Sequence, residues 1–532
     1  MTGLWLITSG AYASQELSAE FGNMPPSFLP VGNRRLYEYQ AERIAAPLYM
    51  TIPETYAVPA QDAARLAALD ITLLPVPDNL SLGESVIFAL NLIGGPDQPL
   101  RILHGDTLIE DLDLTALDSL ATAPAGAGYS WAEVTLDGST ITGMATVPAG
   151  GGSEPAKPVA AGYFAFSHST ALIRAITRAR GSFVAGLLDY AQTHPLQAAP
   201  TDRWYDFGHV QTFFRSRRLV TSARHFNTLR IDGRTARKTS TDSAKITAEA
   251  AWYRNVPAPL RIFCARLVDD GVDAETGAAF YETEYDHLPT LAELFVFGTL
   301  GAPAWSRIFA SCADFLSLTS SATGDAPADA ALRELAIVKT SARLDRFAAD
   351  SGFDIHAVLR LDNRPLPSLV QIAQDIVQHI DLATGRPTQI MHGDFCFSNI
   401  LYDSRVQRIH VIDPRGYVFD ASKPSIYGDA RYDLAKFAHS VVGRYDQIVA
   451  GRYALTADAR NLSISFEQAP HQAWAERALA EMFPAAASRE IRALTCGLFL
   501  SMLPLHADRP DRQRAFIANA LRLFLSLQSA PA

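Results

Sequence analysis

Hydrophobic and polar positions along the chain fall into two regimes. Over the first part, short apolar runs alternate with segments of helical spacing, the pattern of an α/β domain. It predicts strands over Leu4 to Ile7, Ile71 to Pro75, Leu100 to His104, Trp131 to Leu136 and Gly162 to Phe166, with helices over Leu36 to Ala46 and Gly83 to Ile93. The Gly/Ala/Pro-rich segments Ala121 to Gly128 and Val147 to Lys157 read as loops inside this domain, because strand-like sequence resumes after each. Near Ser222 the organisation changes. Phe226-Asn-Thr-Leu-Arg-Ile and Thr235-Ala-Arg-Lys-Thr-Ser flank Asp232-Gly233, which predicts a β-hairpin. A helix carrying Glu249 follows, then strands over Leu260 to Val268 and Ala279 to Tyr285. From about Thr290 the spacing is mostly helical, apart from the apolar run Ile409 to Ile412 that leads to Asp413. No fixed-period repeat is present.

A chain of 532 residues with 48% hydrophobic and 19% charged positions exceeds what one core usually serves, so two or three domains are expected. The pattern places them at 1–219, 222–289 and 290–532. A formal charge of −10 argues against a nucleic-acid binder with a broad basic surface, while leaving room for local phosphate sites. The four cysteines are scattered with no Cys-x-x-Cys pair, so a reduced cytoplasm is the expected setting. No basic residue precedes Arg34, and Leu4-Trp-Leu-Ile-Thr therefore reads as a buried strand rather than a signal peptide. No run is long and apolar enough to suggest a membrane span. The apolar face of Ala515 to Leu527 is expected to pack inside the helical region, with association between copies as the alternative.

Chemistry concentrates at His392-Gly-Asp394-Phe-Cys-Phe-Ser-Asn399-Ile-Leu, followed by Ile409-His-Val-Ile-Asp413. Transfer of a γ-phosphoryl group needs an oriented hydroxyl and held Mg²⁺ more than covalent catalysis. Asp394 suits the first task; Asn399 and Asp413 supply hard oxygen ligands for the second. These residues resemble the aminoglycoside phosphotransferase and choline kinase superfamily, with Asp413-Pro-Arg-Gly416 where Asp-Phe-Gly is usual. The resemblance implies a bilobal protein-kinase-like (α+β) fold, a phosphate-holding Lys238 paired with Glu249, and a lobe connection at Tyr281 to Leu291, including Glu284, that meets ATP. Lys245 and Glu282 are the rivals to that pair. It also implies that acidic residues of the helical lobe bind the acceptor, which points to Asp429 and Asp433. A capping Asp429 and a lobe-organising Asp433 are the structural alternative.

The first domain carries a second set. Met24-Pro-Pro-Ser27-Phe-Leu-Pro-Val-Gly-Asn-Arg34-Arg35-Leu-Tyr-Glu-Tyr-Gln, Leu82-Gly83-Glu84-Ser85, Leu103-His-Gly-Asp106 and Trp204-Tyr-Asp206-Phe-Gly208 resemble sugar-phosphate nucleotidyltransferases. The resemblance implies a Rossmann-like α/β domain in which Asp106 and Asp206 hold Mg²⁺ against a nucleoside triphosphate, and Gly83, Glu84 and Ser85 lie near the base. The usual glycine-rich, basic loop is replaced by Thr8-Ser9-Gly10-Ala11-Tyr12, leaving Gly10 as its glycine, and Ser27 stands where a lysine is usual. Arg34, Arg35 or the Arg215, Arg217 and Arg218 cluster are candidates for the missing charge. Together the resemblances imply a bifunctional cytoplasmic enzyme that phosphorylates a sugar, polyol or amino alcohol with ATP. It would then activate the phosphomonoester with a second triphosphate, CTP or UTP among the candidates, for capsule or lipopolysaccharide synthesis. The alternative is a small-molecule kinase with a degenerate, regulatory nucleotidyltransferase domain.

Overall fold

The computed structural model describes residues 3–44, 47–111, 113, 115–124, 131–147, 157–222, 229–458 and 460–529. The chain divides into two compact units, Met1–Leu219 and Val220–Ala532. Both mix helices with sheets.

The first unit is built on a nine-stranded sheet. Its order is Ile71–Val76, Leu48–Pro53, Leu4–Thr8, Leu100–His104, Pro158–Phe166, Ser119–Pro124, Gln197–Pro200, Thr140–Val147 and Trp131–Asp137. The first four strands are parallel, and Pro158–Phe166 runs antiparallel to Leu100–His104. Leu4, Trp5, Leu6 and Ile7 are all buried, as a central strand covered on both faces requires. Leu6, Ile102, Phe164 and Phe166 join Leu172, Ile176 and Leu187 of the covering helices in one core. Leu4–Thr8 and Leu100–His104 run side by side to a common end, with Thr8 opposite His104. The chain leaves Leu4–Thr8 for one side of the sheet and returns on the other, which opens a crevice at the strands' carboxyl ends.

The expected strands and helices are present, with the helix at Leu36 ending at Ala41. Four further strands, Leu48–Pro53, Ser119–Pro124, Thr140–Val147 and Gln197–Pro200, are not signalled by alternation. The stretch Ala121 to Pro124, read as loop, is the end of a strand whose small side chains fit between two neighbours. The remainder of that segment, positions 148–156 and positions 226–228 of the hairpin lie outside the described residues.

The second unit opens with a four-stranded antiparallel sheet in the order Leu229–Ile231, Thr235–Thr239, Ala279–Glu284, Leu267–Val272. The helix Ser243–Asn255 accompanies it. Leu260 to Cys264, expected as strand, is instead mostly helical or turn: the helix Ala258–Arg261 carries Pro259 in its first turn, where a missing N–H costs nothing. The rest is dominated by helices, including Ala302–Ser320, Lys339–Ser351, Ala430–Val441, Pro470–Met482, Arg489–Met502 and Pro510–Ser529. Several short strand pairs interrupt them, among them Ile400–Asp403 with Arg408–Val411, the pair that frames the loop to Asp413. Phe516, Ile517, Leu521, Phe524 and Leu527 of the last helix are buried within the unit, so that apolar face is used internally. All four cysteines are free thiols. Among the described residues no helix is long and apolar enough to cross a membrane.

Candidate active sites

In the second unit, the hairpin strand Thr235–Thr239 and the helix Ser243–Asn255 set a lysine against a glutamate. Lys238 Nζ lies 2.9 Å from Glu249 Oε2 and 3.1 Å from Asp413 Oδ1. Lys245 stands 3.8 Å from the other Glu249 oxygen, and Glu282 faces Arg237 instead. Burial alone would lower the Lys238 pKa, but the Asp413 and Glu249 carboxylates outweigh it and raise the value. Lys238 is therefore a fixed cation.

Asp413 follows the strand Arg408–Val411 and adopts a left-handed φ of 54°, a conformation that costs a non-glycine residue energy and is typical of functional loops. Tyr281 donates its hydroxyl to Asp413 Oδ1, and the Asp413 N–H donates to the Tyr253 hydroxyl. Three residues on, Gly416 has φ 71°, and a Cβ there would meet the Ala248 carbonyl at 2.0 Å. This close approach ties the Asp413 loop to the helix that carries Glu249.

Asp394 is held from two sides. Lys436 Nζ is 2.8 Å from its Oδ1, and Asn399 Nδ2 donates to its Oδ2 at 2.9 Å. With Nδ2 committed, Asn399 Oδ1 is the atom left for a cation, and Asp413 Oδ2 is the second. Hard, paired oxygens of this kind fit Mg²⁺. Burial pushes the Asp394 carboxyl up, yet Lys436 holds it well below the usual carboxylate range.

Asp429 and Asp433, read from sequence as acceptor ligands, do other work. Both are nearly inaccessible, Asp433 being 1% exposed against 41% for the Asp394 side chain. Asp433 accepts the His392 and Gly393 backbone N–H groups at 2.7 Å each, so its two oxygens shape the loop that presents Asp394. Asp429 caps the helix Ala430–Val441 and pairs with Arg431, which also binds Asp329 and Glu490. Glu284 is an exposed partner of Arg266 and does not line the cavity at Asp394. Sequence reasoning missed Lys436. A lone lysine in the apolar stretch Leu434-Ala-Lys436-Phe-Ala was the available signal.

In the first unit, the two carboxylates expected to act together converge. The short strands Thr107–Ile109 and Trp204–Asp206 pair with Asp206 opposite Thr107, and the Phe207 N–H donates to the Asp106 carbonyl. A Cβ on Gly208 would lie 2.5 Å from Asp106 Oδ2 and 3.3 Å from Asp206 Oδ1. Glycine is required for that closeness. Burial and the neighbouring Asp206 charge push Asp106 up to about 6, repulsion that a divalent cation would relieve. Asp206 also accepts from Thr212 and lies 2.9 Å from His209 Nδ1, an interaction that raises the His209 pKa.

Asp106 lines a cavity of about 270 Å³ with Thr8, Ser9, Tyr12, Ser14 and His104. None of the described residues lining it is lysine or arginine. Arg35 is buried against Asp62 at 2.9 Å and against the Phe28 carbonyl, while Arg34 pairs with Glu38 and Glu42. Of the alternative cluster, Arg215 is exposed and Arg217 lies over the Phe214 ring. Ser27, in place of the usual lysine, donates to the Gly105 carbonyl. Gly83 allows contact with Gly181, since a Cβ would approach its carbonyl to 2.3 Å. Glu84 completes a capping box with Ser81, and Ser85 lies behind Gly10. Of that expected base-contacting segment, Leu82 faces the cavity.

No family model matches the sequence, and no curated protein does. Solved structures similar to parts of it include nucleotidyltransferases and aminoglycoside phosphotransferases, which cover different parts of the chain. A nucleoside-diphosphate-sugar pyrophosphorylase from Vibrio cholerae RC9 is 14% identical with a TM-score of 0.32, covering 40% of this chain and 99% of its own. UTP-bound UGPase from Acinetobacter baumannii is 13% identical, TM-score 0.33, over 43% of this chain and 95% of its own. A thermostable mutant of an aminoglycoside phosphotransferase is 14% identical, TM-score 0.36, over 56% of this chain and 89% of its own. Both groups are transferases. The side-chain geometry described above carries the functional reading.

Proposed function

We propose that the chain is a bifunctional transferase. Its second unit transfers the γ-phosphoryl group of a nucleoside triphosphate to a hydroxyl of a small metabolite. The first then joins the resulting phosphomonoester to a nucleotide, giving an NDP- or CDP-activated precursor for surface-glycan synthesis. The observation that carries the kinase half is the convergence of Lys238, Glu249, Asp413, Asn399 and Asp394 on one cavity; the approach of Asp106 and Asp206 across Gly208 supports the other half.

In the kinase step Lys238, fixed by Glu249, neutralises the triphosphate; Asn399 and Asp413 would hold Mg²⁺, which would supply charge neutralisation at the phosphates. Asp394 orients the acceptor hydroxyl. An oxygen–phosphorus bond forms to that hydroxyl as the bond from the γ-phosphorus to the bridging oxygen breaks, releasing nucleoside diphosphate and a proton. In the second step a phosphomonoester oxygen attacks the α-phosphorus of another triphosphate and pyrophosphate leaves; Asp106 and Asp206 would hold the Mg²⁺ that offsets the charge there.

A second reading keeps the kinase and makes the first unit a nucleotide-binding module. The absence of lysine and arginine from the described lining of the Asp106 cavity favours it. Incubating the chain with Mg²⁺, each triphosphate and a set of hydroxyl compounds, followed by ³¹P NMR, separates the two. Pyrophosphate release from a triphosphate when a phosphomonoester is supplied supports the bifunctional reading; phosphoryl transfer without pyrophosphate supports the second.

A further inference from the structure

The Asp394 cavity is about 320 Å³ in volume and has two chemically different ends. Toward the sheet lie Lys238, Lys245 and Glu249. Toward the helical region lie Lys339, Arg343, Arg415 and Lys436, over a floor that includes Leu498, Met502 and Leu505. Lys436 is neutralised by Asp394. Arg343 donates to the Ser501 hydroxyl and carbonyl, and Arg415 to the Tyr417 carbonyl. Neither these two nor Lys339 has a carboxylate within ion-pair distance among the described residues.

This arrangement is costly. When Lys339 is protonated, it and Arg343 are like charges one helical turn apart, a spacing that destabilises a helix. They follow directly on a π-helical turn, Glu334–Val338, a distortion concentrated at functional sites. Burial first, and then Arg415, Arg343 and Lys436, push the Lys339 ammonium down to about 5. Unpaired Arg343 and Arg415, with a Lys339 amine that a bound anion would return to its charged form, are the electrostatic complement of an anion beside a hydroxyl-orienting carboxylate.

Building on the kinase reading, we propose that the acceptor is itself an anion, a small hydroxyl compound bearing a carboxylate or phosphate that Lys339, Arg343 and Arg415 bind while Asp394 orients its hydroxyl. The carboxylates that resemblance assigned to the acceptor, Asp429 and Asp433, are spent inside the fold, and the groups that face the cavity have the opposite sign. A cationic acceptor would be repelled from this end.

The test uses inorganic phosphate as probe and the full chain loaded with Mg²⁺ and a non-hydrolysable triphosphate, so that the nucleotide end is filled. Isothermal titration should show phosphate binding to the loaded protein. Lys339→Met and Arg343→Gln should each weaken it at least tenfold, while nucleotide affinity changes less than twofold, which also reports folding. Phosphate binding that vanishes on nucleotide loading, or that both variants retain, would overturn the proposal. A turnover arm compares glycerol, glycerate and glycerol phosphate, and glucose, glucosamine, glucuronate and glucose 6-phosphate. The anionic members should have the higher kcat/KM; preference for a neutral or cationic member overturns the proposal and leaves the kinase reading standing. Phosphate binding with no turnover of any acceptor supports the anion site and counts against the kinase reading.

Discussion

Lys436 Nζ stands 2.8 Å from Asp394 Oδ1, and its cation holds that carboxylate ionised. Asp394 is thus fixed as a hydrogen-bond acceptor for a substrate hydroxyl, with its second oxygen pinned by Asn399. Lys436→Met should free the carboxylate and lower kcat by about a hundredfold to a thousandfold, within the range a positioned acid or base contributes. The KM for nucleotide should stay within about twofold. Steady-state kinetics read both; an unchanged kcat contradicts the role.

Asp433 makes a different kind of demand. Its two oxygens each accept a backbone N–H, and Asn would turn an NH₂ toward one of those donors. Asp433→Asn should destabilise the second unit by about 2 to 3 kcal/mol, the usual penalty for a buried unsatisfied group, and lower kcat as the Asp394 loop shifts. Thermal denaturation alongside kinetics checks this. A raised acceptor KM with unchanged stability would restore Asp433 to substrate binding.

Lys339 links stability to pH. Its folded pKa, about 5, lies below the ordinary lysine value of 10.5. Between those values the unfolded chain binds one more proton than the folded chain, so this group's contribution makes stability rise with pH through that window. The charged groups acting on it are Arg343 on its own helix, Lys436 on Ala430–Val441, and Asp394 and Arg415 on their loops. Lys339→Met should raise the melting temperature at pH 7 and flatten its increase between about pH 6 and 9. A variant that melts lower than the parent, with the same pH slope, contradicts this account of an amine that burial and neighbouring cations keep from protonating.

Gly208 keeps Asp106 and Asp206 together. Gly208→Ala places a methyl 2.5 Å from Asp106 Oδ2, too close for both to keep their places. Any pyrophosphate-releasing activity should fall about a hundredfold, the scale of a roughly 1 Å misplacement at a reacting centre, while phosphoryl transfer by the second unit is unaffected. Parallel assays of the two activities check it.

The elements legible in the sequence were those whose chemistry is local. Leu4–Thr8 and Leu100–His104 announce themselves as apolar runs, and Asp394, Asn399 and Asp413 sit in one short segment with spacing that speaks for itself. Ser119–Pro124 did not, because alanine and threonine become strand through the neighbours they pack between. The roles of Asp429 and Asp433 were hidden for a related reason. A carboxylate's task depends on whether it meets backbone N–H groups or open cavity, and helical spacing cannot tell these apart. Lys339, Arg343 and Arg415 come from distant parts of the chain, so only folding brings their charges together.

The most direct measurement mixes two inactivated chains. With a hydroxyl acceptor, Mg²⁺ and triphosphates, Asp394→Asn alone should form no phosphomonoester yet release pyrophosphate from a triphosphate when a phosphomonoester is supplied, and Asp106→Asn alone should do the reverse. Combined, they should regenerate the nucleotide-linked product from the hydroxyl compound, seen as its diphosphate resonances in the ³¹P spectrum. A mixture that accumulates phosphomonoester and never forms that product would contradict a two-step enzyme.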